Sequence, residues 1–269
     1  MKSKAQIVAT IGPASSNPAS LSAMMAHGLD VARLNFSWGT VEERREQINL
    51  VRALAKELNK KVLILVDLPG PRVQNIKGHT YNHHAVSPVT EHDKEFIKFA
   101  VEHEVDYIGL SYVANAHDVE SCRKIIKSFG GKQMIIAKIE RVDALFSLDH
   151  IISVTDAVMV ARGDLGNEVP LEQIPFVQEK IVHKAKKAGK PVIVATQMML
   201  SMVEHDSPTR AEVTDVEVAI MQGADAVMLS EETAQGKYPV EAVVMMEKVI
   251  LEAEKHLNGK SNFNPLKSL

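Results

Sequence analysis

Residues 134–145, MIIAKIERVDAL, release a lysine and a carboxylate, Lys138 and Glu140, from a short apolar run. Alternate residues of an extended strand share one face, so the two side chains leave it together, which suggests a polar site and not a core. The run Ala157-Val158-Met159-Val160 repeats the pattern and releases Ala161-Arg162-Gly163-Asp164-Leu165-Gly166, with a second carboxylate beside two glycines. Glu140 and Asp164 are therefore candidate ligands for one hard divalent ion, Mg2+ or Mn2+. The plain alternative is that Lys138 and Glu140 only pair at a strand end. Charged strand ends point to function only statistically, so this stretch alone leaves both readings open.

The elements that must carry these residues follow from the hydrophobic pattern. Short apolar runs read as strands at 6–11, 30–35, 62–67, 106–111, 134–138, 157–161, 191–196 and 225–230. Amphipathic stretches read as helices at 20–27, 41–58, 91–103, 116–129, 171–188, 211–222 and 240–256. Several carry capping chemistry, such as Thr90 at a start and Gly189 or Gly223 at an end. Near-continuous apolar strands alternating with such helices imply a parallel sheet covered on both sides. Eight units imply a single (β/α)8 TIM barrel over residues 1–269, with its site at the C-terminal strand ends. Those ends carry Thr10, Arg33 with Asn35 and Ser37, Asp67, Ser111, Lys138 with Glu140, Arg162 with Asp164, Thr196 with Gln197, and Ser230 with Glu232. An open doubly wound sheet would rarely use all eight, and neither GxGxxG nor GxxxxGK[ST] occurs.

Composition narrows the class. A chain of 269 residues with 45% hydrophobic and 24% charged residues is an ordinary globular protein with one sizeable core. Its 31 Lys and Arg against 34 Asp and Glu leave no concentrated basic face, so no nucleic-acid partner is expected. The one cysteine, Cys122, excludes an intramolecular disulfide framework and a cysteine-rich zinc site, and on a helix it is expected to be inert. No apolar run approaches the roughly 18 residues a membrane span needs, and no leader-like segment opens the chain. A cytoplasmic protein with no membrane partner is the default expectation.

Eight collinear segments, IVATIGPAS (7–15), DVARLNFSWGT (30–40), DLPGP (67–71), IIAKIERVDAL (135–145), VMVARGDLGNEVP (158–170), PVIVATQMMLSM (191–202), SPTRAEVTDV (207–216) and GADAVMLSEETAQGKYPVEAV (223–243), resemble the catalytic barrel of the pyruvate kinase family. One such segment would be weak; eight in order over nearly the whole chain are specific. The resemblance implies a Mg2+-dependent enzyme acting on pyruvate, phosphoenolpyruvate or an oxaloacetate-like acid. It assigns Glu140 and Asp164 to the metal and the backbone N–H groups of Gly163 and Asp164 to the substrate carboxylate. Lys138 becomes the cation on the enolate oxygen and transferring phosphoryl group, and Thr196 the hydroxyl near the substrate methyl carbon, associated with proton delivery. Arg33 joins them as a catalytic and substrate-binding residue, while Asn35, Ser37 and Asp67 match a potassium site. A metal-chelated 2-oxo acid has acidified methyl protons and a stabilised enolate, so this half of the site is complete.

The other half departs from the family. A lid domain inserted there after the third strand is replaced by about 73–89, and the regulatory C-terminal domain is expected to be absent. Trp38 stands where the family has a histidine, Glu43 where it commonly has a tyrosine beside the nucleotide, and Gln74 where it has a phosphate-binding arginine. Loss of a lid removes water exclusion. The expectation is therefore an enolate enzyme doing carbon–carbon chemistry, aldol addition or cleavage or decarboxylation, in preference to phosphoryl transfer. A minimal lidless pyruvate kinase is the alternative, and a non-catalytic barrel binding a 2-oxo acid or a partner protein is a third. Arg72 replaces a glutamate beside the potassium site and could supply the positive charge itself, so no K+ requirement is expected; the alternative is a solvent-facing turn residue. His79, His83, His84 and His92 read as loop histidines, either acid/base groups or plain surface residues. Trp38 either stacks on substrate or packs under that loop, and the methionines fill core gaps. Barrel surfaces leave room for a homo-oligomer.

Overall fold

The computed structural model describes residues 2–75, 78–82, 84–85 and 87–257. Eight parallel strands run in the order β1-β10-β9-β8-β7-β6-β3-β2 and close as a barrel. These are β1 (Gln6–Thr10), β2 (Leu29–Asn35), β3 (Leu63–Asp67), β6 (Tyr107–Leu110), β7 (Met134–Ile139), β8 (Ala157–Ala161), β9 (Val192–Ala195) and β10 (Ala226–Leu229), each within about a residue of its sequence expectation. A separate antiparallel pair, β4 (Arg72–Asn75) and β5 (Gly78–Tyr81), lies between β3 and the next helix. None of the described helices is long and apolar enough to cross a membrane.

Contacts divide the chain into two compact units, Met1–Leu34 with Thr40–Ile64 and Pro191–Leu269, and Asn35–Gly39 with Leu65–Lys190. In the first, β1 pairs with β2 on one side and β10 on the other, and β10 with β9. Helices α1 (Pro18–His27), α2 (Val41–Glu57), α9 (Arg210–Met221), the one-turn α10 (Glu231–Ala234) and α11 (Pro239–His256) belong to this unit. Its core includes Ile7, Val8, Leu21, Met24, Ile48, Val194, Val227 and Met246, all almost fully buried.

In the second unit β6 pairs with β3 and β7, and β7 with β8. Helices α3 (Glu91–Glu102), α4 (Ala116–Ser128), α5 (Val142–Phe146), α6 (Leu148–Val154), the one-turn α7 (Arg162–Leu165) and α8 (Ile174–Lys187) belong to it. Leu65, Ile97, Ile108, Val119, Cys122, Ile136, Ile151 and Ile181 form its core. Cys122 is enclosed, and burial pushes its thiol up to about 12, which fits an inert packing residue. Helices α2, α3, α4 and α9 each open on a reciprocal capping box, Thr40/Glu43, Thr90/Asp93, Asn115/Asp118 and Thr209/Glu212. Each satisfies two backbone donors that a helix start leaves over, so the strand-to-helix loops that carry the chemistry are fixed at their far ends.

The expected loop at 73–89 begins instead as the β4–β5 hairpin, in the register Arg72 to Tyr81 through Asn75 to Gly78. The amide of Asn82 donates to Pro71 O at 2.9 Å and closes its base.

Candidate active site

Within the second unit, three strand ends converge on one point, two of them carrying charge and the third a hydroxyl. β7 brings Lys138 and, just past its end, Glu140; β3 ends on Asp67; Ser111 follows β6. The Nζ of Lys138 donates to Asp67 Oδ1 at 2.9 Å and to Ser111 Oγ at 2.8 Å, and pairs with Glu140 Oε1 at 2.9 Å. An ammonium has three N–H groups, and here each has an acceptor. Lys138 and Glu140 do pair, but as half of a buried cluster with a third member from a distant strand. The side chains of Asp67 and Glu140 are each only 2% exposed.

The second oxygen of Glu140 has its own donor, the backbone N–H of Tyr112, at 2.6 Å. Burial pushes the Glu140 carboxyl up to about 7; Lys138 pulls it down, and the charge of Asp164 pushes it up further. The two expected metal carboxylates therefore act on each other electrostatically. Asp164 and Gly163 lie in α7, directly after β8, while Arg162 turns away and donates to Gln178 on α8 at 3.2 Å. Among the described residues no group of three or more His, Cys, Asp or Glu gathers as a metal cluster.

A second cluster lies on the loop after β2. Ser37 N donates to Asn35 Oδ1 at 3.0 Å, and Phe36 N to Asp67 O at 3.0 Å. The Nη2 of Arg72 donates to Ser37 O at 3.2 Å, and its guanidinium stands 5.9 Å from the ring centre of Trp38. Arg72 is therefore not a solvent-facing turn residue. Trp38 remains 60% exposed. Burial raises the pKa of Asp93, whose carboxylate caps α3 and accepts from Gly70 N at 3.2 Å, joining that helix to the turn before the hairpin.

In the first unit, Arg33 is buried and its Nη1 donates to Thr10 Oγ1 at 2.8 Å, while Thr10 Oγ1 donates to Leu229 O at 3.0 Å. Thr196 and Gln197 follow β9 with φ of 72° and 55°, a left-handed pair that side chains other than glycine seldom adopt. Thr196 Oγ1 donates to Ala195 O at 2.6 Å. Burial raises the pKa of Glu232, which accepts from the amides of Met199 and Ser230 and so pins two strand-end loops.

The departure at Glu43 has a structural use. Its carboxylate accepts from Thr40 N at 2.7 Å and completes the cap of α2. Glu43→Tyr is expected to lower stability by about 0.5–1 kcal/mol in urea unfolding, through loss of that cap. Of the loop histidines, His92 stands in the first turn of α3 beside Glu95 at 3.2 Å and against Phe96, and His84 is exposed. His83 and the side chains of Gln74 and His79 lie outside the described residues. Tyr112 and Tyr81 were not singled out from the sequence; the first acts through its backbone, and the second depends on the unforeseen hairpin.

Residues 2–85 and 75–243 match the barrel domain of pyruvate kinase, in two stretches that overlap at 75–85. A pyruvate kinase of Thermococcus litoralis is 37% identical over 333 positions, covering 94% of this chain and 70% of that protein. One of Agrobacterium vitis is 35% identical over 337 positions, covering 94% and 70%. One of Thermotoga maritima is 33% identical over 332 positions, covering 94% and 71%. Each alignment is longer than the 269 residues of this chain, so these relatives hold residues that it does not match. The expected preference for carbon–carbon lyase chemistry over phosphoryl transfer finds no support in them.

Proposed function

The chain belongs to the pyruvate kinase family, and we propose that it transfers a phosphoryl group between phosphoenolpyruvate and ADP as a minimal member of that family. The observation that carries this reading is the Lys138 ammonium, held by Asp67, Ser111 and Glu140 at the edge of a carboxylate pair. A fixed cation in a buried site stabilises charge that develops on a transferring phosphoryl group or on an enolate oxygen far better than one in water. To reach such an oxygen, Lys138 must release one of its three acceptors. Glu140 is the one that can be released, because its other oxygen stays on the Tyr112 amide.

The residues present fit a divalent ion. Glu140 and Asp164 are two interacting carboxylates, and burial already disfavours the ionised form of Glu140. Mg2+ is commonly held by one or two carboxylates plus substrate and water oxygens. When bound, the ion neutralises phosphoryl and carboxylate charge. We assign the backbone N–H groups of Gly163 and Asp164 to the substrate carboxylate, Arg33 to the phosphoryl group and Thr196 to the proton delivered to the methyl carbon. The β4–β5 hairpin stands where the family inserts its lid; the two-part family match and the length of the alignments support this.

Direct 31P NMR of phosphoenolpyruvate with ADP and Mg2+ tests the reading. ATP should form with the wild type and fall by at least about a hundredfold in rate with Lys138→Met. An absence of ATP at high protein concentration would refute it.

The monovalent site follows from the same geometry. Arg72 occupies the Asn35–Ser37 loop with a permanent charge. Turnover is expected to be equal in K+ and Na+ at fixed ionic strength, whereas Arg72→Glu is expected to create a K+ requirement; strong K+ activation of the wild type would contradict the assignment.

A second reading rests on the committed role of Glu43 and the exposed Trp38, which leave the nucleotide side unlike the family's pattern. In it the same centre makes the enolate of a 2-oxo acid for carbon–carbon cleavage or decarboxylation. Exchange of the pyruvate methyl protons in D2O with Mg2+, without nucleotide and with no ATP synthesis in the first assay, would favour it.

A further inference from the structure

Tyr112 has φ 56°, in the left-handed region, immediately after β6. A bulky aromatic residue persists there only where its surroundings over-determine it, and two ring contacts do so. On one side is the Gly70 turn, where a Cβ would stand 2.9 Å from Tyr112 Cδ2 and 3.1 Å from Ser111 Cβ, so only glycine lets the ring lie against it. On the other is Tyr81, with ring centres 5.2 Å apart. The guanidinium of Arg141 covers Tyr81, 3.9 Å from its ring centre, and Arg141 directly follows Glu140 in the chain. Contacts therefore close a circuit, from the Glu140 carboxylate to the Tyr112 amide, through the Tyr112 ring to Tyr81, and through Arg141 back to Glu140.

The hairpin base sets where Tyr81 stands. Tyr81 is the direct cross-strand partner of Arg72, and side chains opposite one another in a pair project from the same face. Arg72 grips Ser37 O, and Asn82 N is bonded to Pro71 O. The ring is thus carried by a short ladder fixed at its foot.

We propose that Tyr81 is a positioning residue for the divalent-cation site, holding the Tyr112 amide where it anchors Glu140 Oε2 while Oε1 exchanges partners. The proposal rests on the reading of Glu140 as a metal-ligating carboxylate. It gives the hairpin a task beyond bridging β3 and α3, since it braces one oxygen of the carboxylate and leaves the other free to move between Lys138 and an ion. Groups that orient a metal ligand typically change metal affinity about 10–100-fold when removed, and Tyr81, acting through Tyr112, belongs at the lower end.

Two measurements on the whole chain test this, Mn2+ affinity by electron paramagnetic resonance and hydrogen exchange of the Tyr112 amide in the metal-free protein. Tyr81→Ala is expected to weaken Mn2+ binding by about tenfold and to speed Tyr112 exchange selectively, while Tyr81→Phe, which keeps the ring, retains the wild-type values. Unchanged affinity and exchange in Tyr81→Ala would overturn the proposal, as would a loss of protection spread evenly over the amides of the unit, which marks a merely structural residue. If the wild type itself binds no Mn2+, the assignment of Glu140 as a ligand falls, and selective Tyr112 exchange still decides whether Tyr81 positions the carboxylate.

Discussion

Lys138→Met is expected to destabilise the protein by about 3–5 kcal/mol at pH 8, the usual cost of leaving buried charge without its counter-ion. Methionine matches the length of lysine and restores none of its three donors. The change leaves Asp67 and Glu140, each 2% exposed, without the cation between them and with Asp164 close by. Ser111 Oγ also loses an interaction, though it keeps its bond to Leu68 O at 2.6 Å. The deficit should depend on pH, with a sign fixed by the carboxylates. Without Lys138 the folded-state pKa of Glu140 rises further above its unfolded value, so the native state holds a proton that the unfolded state releases. Stability of the variant then falls as pH rises through that window, and the gap to the wild type widens from pH 5 to pH 8. Urea unfolding at the two pH values measures it. Equal midpoints at pH 8 would mean that the ammonium does not compensate the cluster, and the interpretation of Lys138 as its keystone would fail.

The parts legible in the sequence were those with a local signature. Near-continuous apolar runs such as Ile135-Ile136-Ala137 read as buried strands, and Thr90 marks a helix start that the structure realises. Lys138 and Glu140 were conspicuous because charge at the end of an apolar strand needs a reason. Their third partner carries no such mark: the family resemblance gives Asp67 to a monovalent ion, and its bond to Lys138 spans 71 residues of chain, which no spacing rule reaches. Helices α5 and α6 are five and seven residues long, too short for a 3.6-residue period to register. The β4–β5 hairpin escaped for a similar reason, with four residues in each strand. Tyr112 was invisible because it acts through a backbone N–H, and tyrosine gives no sign that its φ will be positive.

Glu140→Gln is expected to reverse the order of stability between variant and wild type, depending on whether a divalent ion is present. In the metal-free protein the Glu140 carboxyl is pushed by burial from 4.5 to about 7. Below the unfolded value the group is protonated in both states and contributes no pH-dependent term. Between that value and the folded one the native state binds more protons, so native stability falls as pH rises. Above about 7 the ionised group costs the fold on the order of 3 kcal/mol relative to pH 4, at 1.36 kcal/mol per pKa unit. Glutamine has nearly the shape of the protonated side chain, can accept from the Tyr112 amide, and does not ionise, while Lys138 keeps Asp67 and Ser111. With a chelator present the variant should therefore lose less stability than the wild type between pH 4.5 and 8, by up to that amount. Saturating Mn2+ should then stabilise the wild type by about 2.7 kcal/mol at a hundred times its dissociation constant and leave the variant nearly unmoved, since one of two ligating carboxylates is gone. Phosphoryl transfer should fall by at least about a hundredfold. Thermal unfolding at pH 8 with chelator and with Mn2+ reads the crossing. Parallel behaviour of the two proteins under both conditions would show that Glu140 neither strains the empty site nor holds the ion.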